Sequence, residues 1–177
     1  YILKEPHSTW ENYQVILGDH MYVNKGYRLS KIVKNGFSSL KILKKNIFAF
    51  KKENQNIKLH FDFFHGVGIL DKAIDVLDEK ERNDFRKFVN TNKSFNRENM
   101  FICRSKKLMN EYFLSIFTWL EKCEQIFGFN LKGYAKTRVY TFLAERYISY
   151  WFNNYSNPLS WPIFFFDTNK NKLNLRK

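Results

Sequence analysis

The chain has 177 residues, with 30 Lys and Arg against 17 Asp and Glu, a formal net charge of +13, and 44% hydrophobic residues that include 19 Phe, 10 Tyr and 4 Trp. That length fits one domain with a real core, and the aromatic content excludes a disordered chain. The two cysteines lack CxxC or Cys/His metal spacing, no run of about 18 apolar residues marks a membrane span, and no basic-then-apolar leader opens the sequence.

In chain order, Tyr13 to Leu17 predicts a buried strand that delivers Gly18, Asp19 and His20 at its carboxyl end. Leu29 to Leu43 carries Ile32, Val33, Phe37, Leu40 and Leu43 at helical spacing, weakened by Gly36. Asn46 to Phe50 reads as a short strand and Glu53 to Asn56 as a turn. From Ile57 to Phe63, apolar Ile57, Leu59, Phe61 and Phe63 alternate with Lys58, His60 and Asp62, the period of a half-buried strand with His60 and Asp62 on one face. A loop, His65-Gly66-Val67-Gly68, leads to an amphipathic helix marked by Leu70, Ala73, Ile74 and Leu77, and then to a second with Phe85, Phe88 and Val89.

Asn90 to Glu98 reads as a polar loop and Asn99 to Cys103 as a strand. Ser105 is placed to cap a long helix through Phe127, with Leu108, Tyr112, Ile116, Trp119, Cys123 and Ile126 on its buried stripe and Gly128 beyond its end. Cys103 and Cys123 read as reduced, buried thiols. A further helix from Ala135 to Phe152 sets Arg138, Phe142, Glu145 and Ser149 near one face; Pro162 to Phe166 is a closing strand, and 169–177 a basic, flexible tail. Strands interspersed with helices make the fold class α/β or α+β, in a single domain over 1–177.

The charge is concentrated at the ends: residues 1–58 hold 11 basic and 4 acidic side chains, 59–135 hold 12 and 11, and 136–177 hold 7 and 2. A polyanionic partner fits that distribution, whether nucleic acid, anionic lipid or a phosphate-bearing ligand, and so does a merely solubilising Lys-rich surface. Gly66-Val67-Gly68 lacks the third glycine of a dinucleotide fingerprint, and neither a Walker A sequence nor a GxSxG elbow is present.

Two constellations carry chemistry. His60, Asp62 and His65 put a carboxylate between two imidazoles, groups suited to proton transfer or to a divalent metal, or simply a polar strand edge. His65, beside glycines that let a ligand approach the backbone, is the strongest of the three. Arg138 and Glu145, two helical turns apart with Arg146 adjoining, could offer a fork to a diphosphate and a base to a hydroxyl, or form an ion pair that ties the helix to the core.

Asn99-Met100-Phe101-Ile102, the aromatic helix ending Trp119-Leu120-Glu121-Lys122-Cys123-Glu124, and Arg138-Val139-Tyr140-Thr141-Phe142-Leu143-Ala144-Glu145-Arg146 followed by Tyr150-Trp151-Phe152 together resemble the DUF4422 group of bacterial surface-polysaccharide glycosyltransferases. In that family an N-M-F-I stretch precedes an aromatic-rich helix and then an R-x-x-x-F-L-x-E-R helix ending in Trp. Phe61 to His65 with Leu70-Asp71 resembles the segment ahead of NMFI, and the resemblance spans roughly 46–166. The family's H-Y-R-R-Y-F element has only degenerate counterparts, Gly18-Asp19-His20-Met21-Tyr22 or Gly26-Tyr27-Arg28-Leu29.

The resemblance implies a GT-A-like mixed sheet with flanking helices. With a chain that opens at Tyr1 rather than Met, it implies a C-terminal portion whose nucleotide-binding half is incomplete. The implied reaction moves a sugar from a nucleotide-sugar donor to a glycan or lipid-linked glycan acceptor. His65 and Glu145 are then catalytic, His60, Asp62, Asn99, Arg138 and Arg146 bind substrate, and Asp19 and His20 mark a metal-diphosphate region for Mg or Mn. The implied location is cytoplasmic, peripheral to the anionic inner face of the cytoplasmic membrane, with no nucleic-acid partner. The rival readings are a basic nucleic-acid-binding module and a non-catalytic glycan- or partner-binding domain.

Overall fold

A computed structural model describes residues 5–27, 29–167 and 172–175. The N-terminal half comprises β1 (Val15–Gly18), β2 (His20–Tyr22), α1 (Leu29–Lys34), α2 (Gly36–Lys45), α3 (Ile57–His65), α4 (Ile69–Asp75) and α5 (Glu79–Thr91). After it come β3 (Ser94–Asn96), β4 (Phe101–Cys103), α6 (Lys106–Phe127), α7 (Tyr134–Thr137), α8 (Val139–Tyr155), β5 (Leu159–Trp161), β6 (Phe164–Asp167) and β7 (Lys172–Leu175). The architecture is mixed α/β: a small mixed sheet with flanking helices.

The strand expected at Tyr13–Leu17 is β1, and all four of its residues are buried. It lies at the centre of a sheet ordered β4-β1-β5, antiparallel to β4 and parallel to β5, while β2 pairs with β3 and β6 with β7, both antiparallel. Gly18 leaves little room at the end of β1: a Cβ there would stand 2.5 Å from the tip of the Ile163 side chain and 3.3 Å from the Arg97 carbonyl, so both neighbours would have to shift. Part of the C-terminal tail, Lys172–Leu175, pairs with β6, and the rest of 169–177 lies outside the described residues, as does Arg28.

Several helices end where their chemistry says they should. Ser105 caps α6 by accepting from Leu108 N–H, Asp78 caps α5 by accepting from Glu81 N–H, and Gly128 follows α6 with φ 59°. The α6 stripe is buried from Leu108 to Cys123, but Ile126 is 45% exposed. Cys123 is buried and Cys103 only partly so; both are free thiols, and burial pushes the Cys123 thiol up to about 12. The α6 and α8 stripes close over α5, where Trp119 stacks on Tyr147 at 4.7 Å and donates its indole N–H to the Ala73 carbonyl at 2.6 Å.

Two strand expectations fail. Asn46–Phe50 is a run of turn at the end of α2, where Asn46 Oδ1 accepts from Phe48 N–H. The Ile57–Phe63 alternation belongs to a helix, α3, capped by the Asn56 side chain on Leu59 N–H. The period of two arises because α3 is buried on two sides. At about 100° per residue, Ile57 and Phe61 share one face, which enters the main core, while Leu59 and Phe63 share the opposite face, which packs beneath α2 with Ile42 and Ala49. His60 and Asp62, expected on one face, therefore point about 160° apart. The expected loop at 90–98 contains β3, and the helix expected from Ala135 to Phe152 breaks at Arg138 into α7 and α8.

Candidate functional site

A pocket of about 370 Å³ opens between α3, the β3–β4 connection, α7 and α8, lined by Met21, His60, Phe64, His65, Arg97, Glu98, Tyr134, Phe142, Glu145 and Arg146. It lies at the small end of the range for small-molecule sites, about 300–1,000 Å³. Four residues singled out in the sequence meet here: His60, His65, Glu145 and Arg146.

Arg146 is the centre of the arrangement. Its side chain is 1% exposed and held by three acceptors: Glu145 Oε2 at 2.8 Å, the Phe142 carbonyl at 3.1 Å and His60 Nδ1 at 3.2 Å. The guanidinium also lies over the rings of Phe95, at 4.2 Å, and Phe61, at 5.3 Å. Because a guanidinium only donates, His60 Nδ1 must accept, which puts the His60 proton on Nε2. Burial lowers the Arg146 pKa to about 10 against the opposing pull of Glu145, so the group stays charged at neutral pH.

The neighbours respond to burial and to that charge. Desolvation first, and the Arg146 charge second, hold His60 well below its ordinary value and His65 at about 3, so both imidazoles are neutral at pH 7. His65 stacks on Phe142 at 3.9 Å, and its Nδ1 has no hydrogen-bond partner among the described residues. Burial raises Glu145, with the Glu98 charge adding to the rise and Arg146 opposing it. A carboxylate with a raised pKa, fixed by an arginine beside two neutral imidazoles, is equipped to accept a proton from a bound hydroxyl.

The other expected site residues lie elsewhere. Arg138 is exposed at the rim, its guanidinium 5.2 Å from the Tyr134 ring and 5.3 Å from that of Phe142. Asp62 turns away from the pocket: it bonds Lys58 Nζ at 2.6 Å and accepts from Gly68 N–H at 3.1 Å, holding the α3–α4 turn. Lys58 also meets Asp71 at 2.9 Å. Asn99 donates to the Thr141 carbonyl at 3.2 Å in a separate groove on α6 and α8. Asp19 is exposed and accepts from His20 N–H, while His20 Nε2 lies 3.0 Å from Ser160 Oγ. Among the described residues no group of three or more His, Cys, Asp and Glu side chains is placed to hold a metal ion.

Sequence reasoning missed Arg97, Glu98 and Tyr134, and it missed Asn96, which anchors the chain immediately before Arg97 and Glu98. Asn96 is buried at the end of β3; its Nδ2 donates to the Gly18 carbonyl at 2.7 Å and to Ser160 Oγ at 3.0 Å, and its Oδ1 accepts from Ser149 Oγ at 3.1 Å. It joins β3 to β1, β5 and α8. Glu98 adopts φ 62°, alone among the described non-glycine residues in taking a positive φ. The Asn96-Arg97-Glu98 run gives no periodic signal, and only its position just ahead of the NMFI stretch could have drawn attention to it.

A family model described as a domain of unknown function (DUF4422) matches residues 20–157. It begins nearer the N-terminus than the motif resemblance and covers β2 through the whole of α8. No curated protein and no solved structure matches the chain. Among the described residues no helix is long and apolar enough to cross a membrane.

Proposed function

The chain belongs to the DUF4422 family, and on that premise we propose that its pocket takes part in sugar transfer from a nucleotide-sugar donor to a growing surface-polysaccharide acceptor, in a GT-A-like setting. The observation that carries this reading is the convergence of the buried Glu145–Arg146 pair with neutral His60 and His65 in one pocket, Glu145 and Arg146 both coming from the R-x-x-x-F-L-x-E-R helix. Glu145 takes the proton of the acceptor hydroxyl as it attacks the donor's anomeric carbon. Arg146 is a positioning residue that orients the carboxylate. His65 touches the sugar, with the Phe142 and Tyr134 rings beside it as apolar walls for a pyranose face. Arg138 at the rim faces the charge of the leaving diphosphate. Asp19, His20, Asp62 and Asn99 do not line this pocket.

The test is a panel of nucleotide sugars offered with lipid-linked glycan acceptors, read by release of nucleoside diphosphate. Turnover that Glu145→Gln lowers by about a hundredfold or more supports the reading. Turnover unchanged in Glu145→Gln, or no turnover with any donor, overturns it. The aromatic walls favour a second reading, a glycan-binding domain without catalysis. In that case Glu145→Gln would retain glycan binding, and no donor would be consumed.

A further inference from the structure

A second surface lies on the far side of α3. α1, α2 and the turn after them are anchored on one side, where Ile42 and Ala49 are buried against Phe63 and Leu59. Their other side is apolar and uncovered: Leu29, Val33, Phe37, Leu40, Ile47 and Phe48 are between 51% and 80% exposed. Leu29 and Val33 are spaced i, i+4 on α1, and Phe37 and Leu40 i, i+3 on α2, so each pair shares a helix face. Isolated exposed hydrophobics are ordinary; six within 20 residues of chain are a patch.

The same stretch is uniformly basic. Residues 29–52 contain seven lysines and no Asp or Glu. Two of the ammonium groups sit beside the exposed rings, Lys41 Nζ at 4.6 Å from the Phe37 centroid and Lys51 Nζ at 4.5 Å from that of Phe48. Apolar side chains bracketed by long-stemmed cations fit a layer that is apolar inside and anionic at its face.

We infer that α1, α2 and the Ile47–Phe48 turn dock on a bilayer rich in anionic lipid, the apolar side chains entering the headgroup boundary and the lysines meeting the headgroups. A second copy fits less well, because an isologous pairing of this face would set its lysines against one another. Nucleic acid would use the lysines but leave aliphatic Leu29, Val33 and Leu40 without a role. The surface also adjoins the pocket: Lys31 Nζ lies 5.8 Å from the ring of Phe64, which lines it. The inference does not depend on the reaction performed there.

Vesicle flotation tests it. The chain is expected to float with vesicles of phosphatidylcholine and phosphatidylglycerol and not with phosphatidylcholine alone. Phe37→Ser with Leu40→Ser lowers the partition coefficient by about tenfold or more, and Lys41→Gln with Lys44→Gln and Lys45→Gln does the same. Phe37→Trp keeps the apolar character, and its emission is quenched by brominated lipid. Absence of flotation with anionic vesicles overturns the inference. So does flotation that the apolar double variant leaves unchanged, or a Phe37→Trp emission insensitive to brominated lipid. A concentration-dependent dimer in sedimentation equilibrium that Phe37→Ser with Leu40→Ser dissolves would give the face to a second copy. Retention on RNA without flotation would give it to nucleic acid. Circular dichroism of each variant confirms that the fold is kept.

Discussion

The interior around Arg146 and the outer face of α1–α2 use the same ingredients, cations and phenylalanines, to opposite effect. Arg146 is enclosed between Phe61 and Phe95 with three acceptors on its terminal nitrogens. Lys41 and Lys51 lie beside Phe37 and Phe48 on an exposed face. Burial makes the difference. In the interior, the cation's charge must be met by fixed partners, and it adds to the lowering that burial imposes on the His60 and His65 pKa values and opposes the rise at Glu145. On the outside, charge and apolar area remain available to something that is not part of the fold.

The largest expected effect is at Arg146. Arg146→Ala leaves Glu145 buried without its cation and His60 Nδ1 without its donor, and should cost about 3–5 kcal/mol in chemical denaturation. Adding Glu145→Gln should recover part of that loss; a double variant no more stable than the single one would mean the pair is not the source of the cost. Next is Asn96, on which β1, β3, β5 and α8 converge. Asn96→Ala should cost about 2–3 kcal/mol by leaving the Gly18 carbonyl and the Ser149 hydroxyl short of partners.

The acid limb of stability gives a third test. His60 and His65 have folded pKa values below their ordinary value, so the unfolded chain binds more protons below pH 6.5. Their contribution is therefore complete above about pH 6.5 and is lost as the pH falls toward about 3. Glu145 works against them: its raised pKa contributes stability below its ordinary 4.5 that is lost as the pH rises. The melting temperature should fall on acidification across this window, and His65→Gln should flatten the fall; an unchanged slope would remove His65 as a contributor. The smallest effect belongs to the outer face, where Phe37→Ser should change stability by no more than about 0.5 kcal/mol in the same denaturation experiment. A large loss there would mean that this face is part of the fold's own packing.

What was legible in the sequence was whatever rests on local chemistry. The Ser105 cap, the Leu108–Cys123 stripe and the apolar run of β1 each need only neighbours a few residues away. The α3 helix was not legible, because burial on two opposite faces gives a helix the alternation of a strand. Within the site, the grouping of Glu145 with Arg146 was readable from adjacency. The bond from Arg146 to His60 spans 86 residues of chain, and only the packing of α3 against α8 creates it. Asp62 misled for the same reason: its companions were assigned by a strand's geometry, and in the helix it serves Lys58 and the Gly68 amide.

Glu98 holds its carboxylate at the pocket from a left-handed backbone that a non-glycine residue adopts at a cost of about 1–2 kcal/mol. That cost is present in every folded molecule, whether or not anything occupies the pocket, whereas any return on the carboxylate is collected only during ligand encounter. Glycine or asparagine would take this backbone at lower cost, so the glutamate side chain is carried here against the local conformational preference.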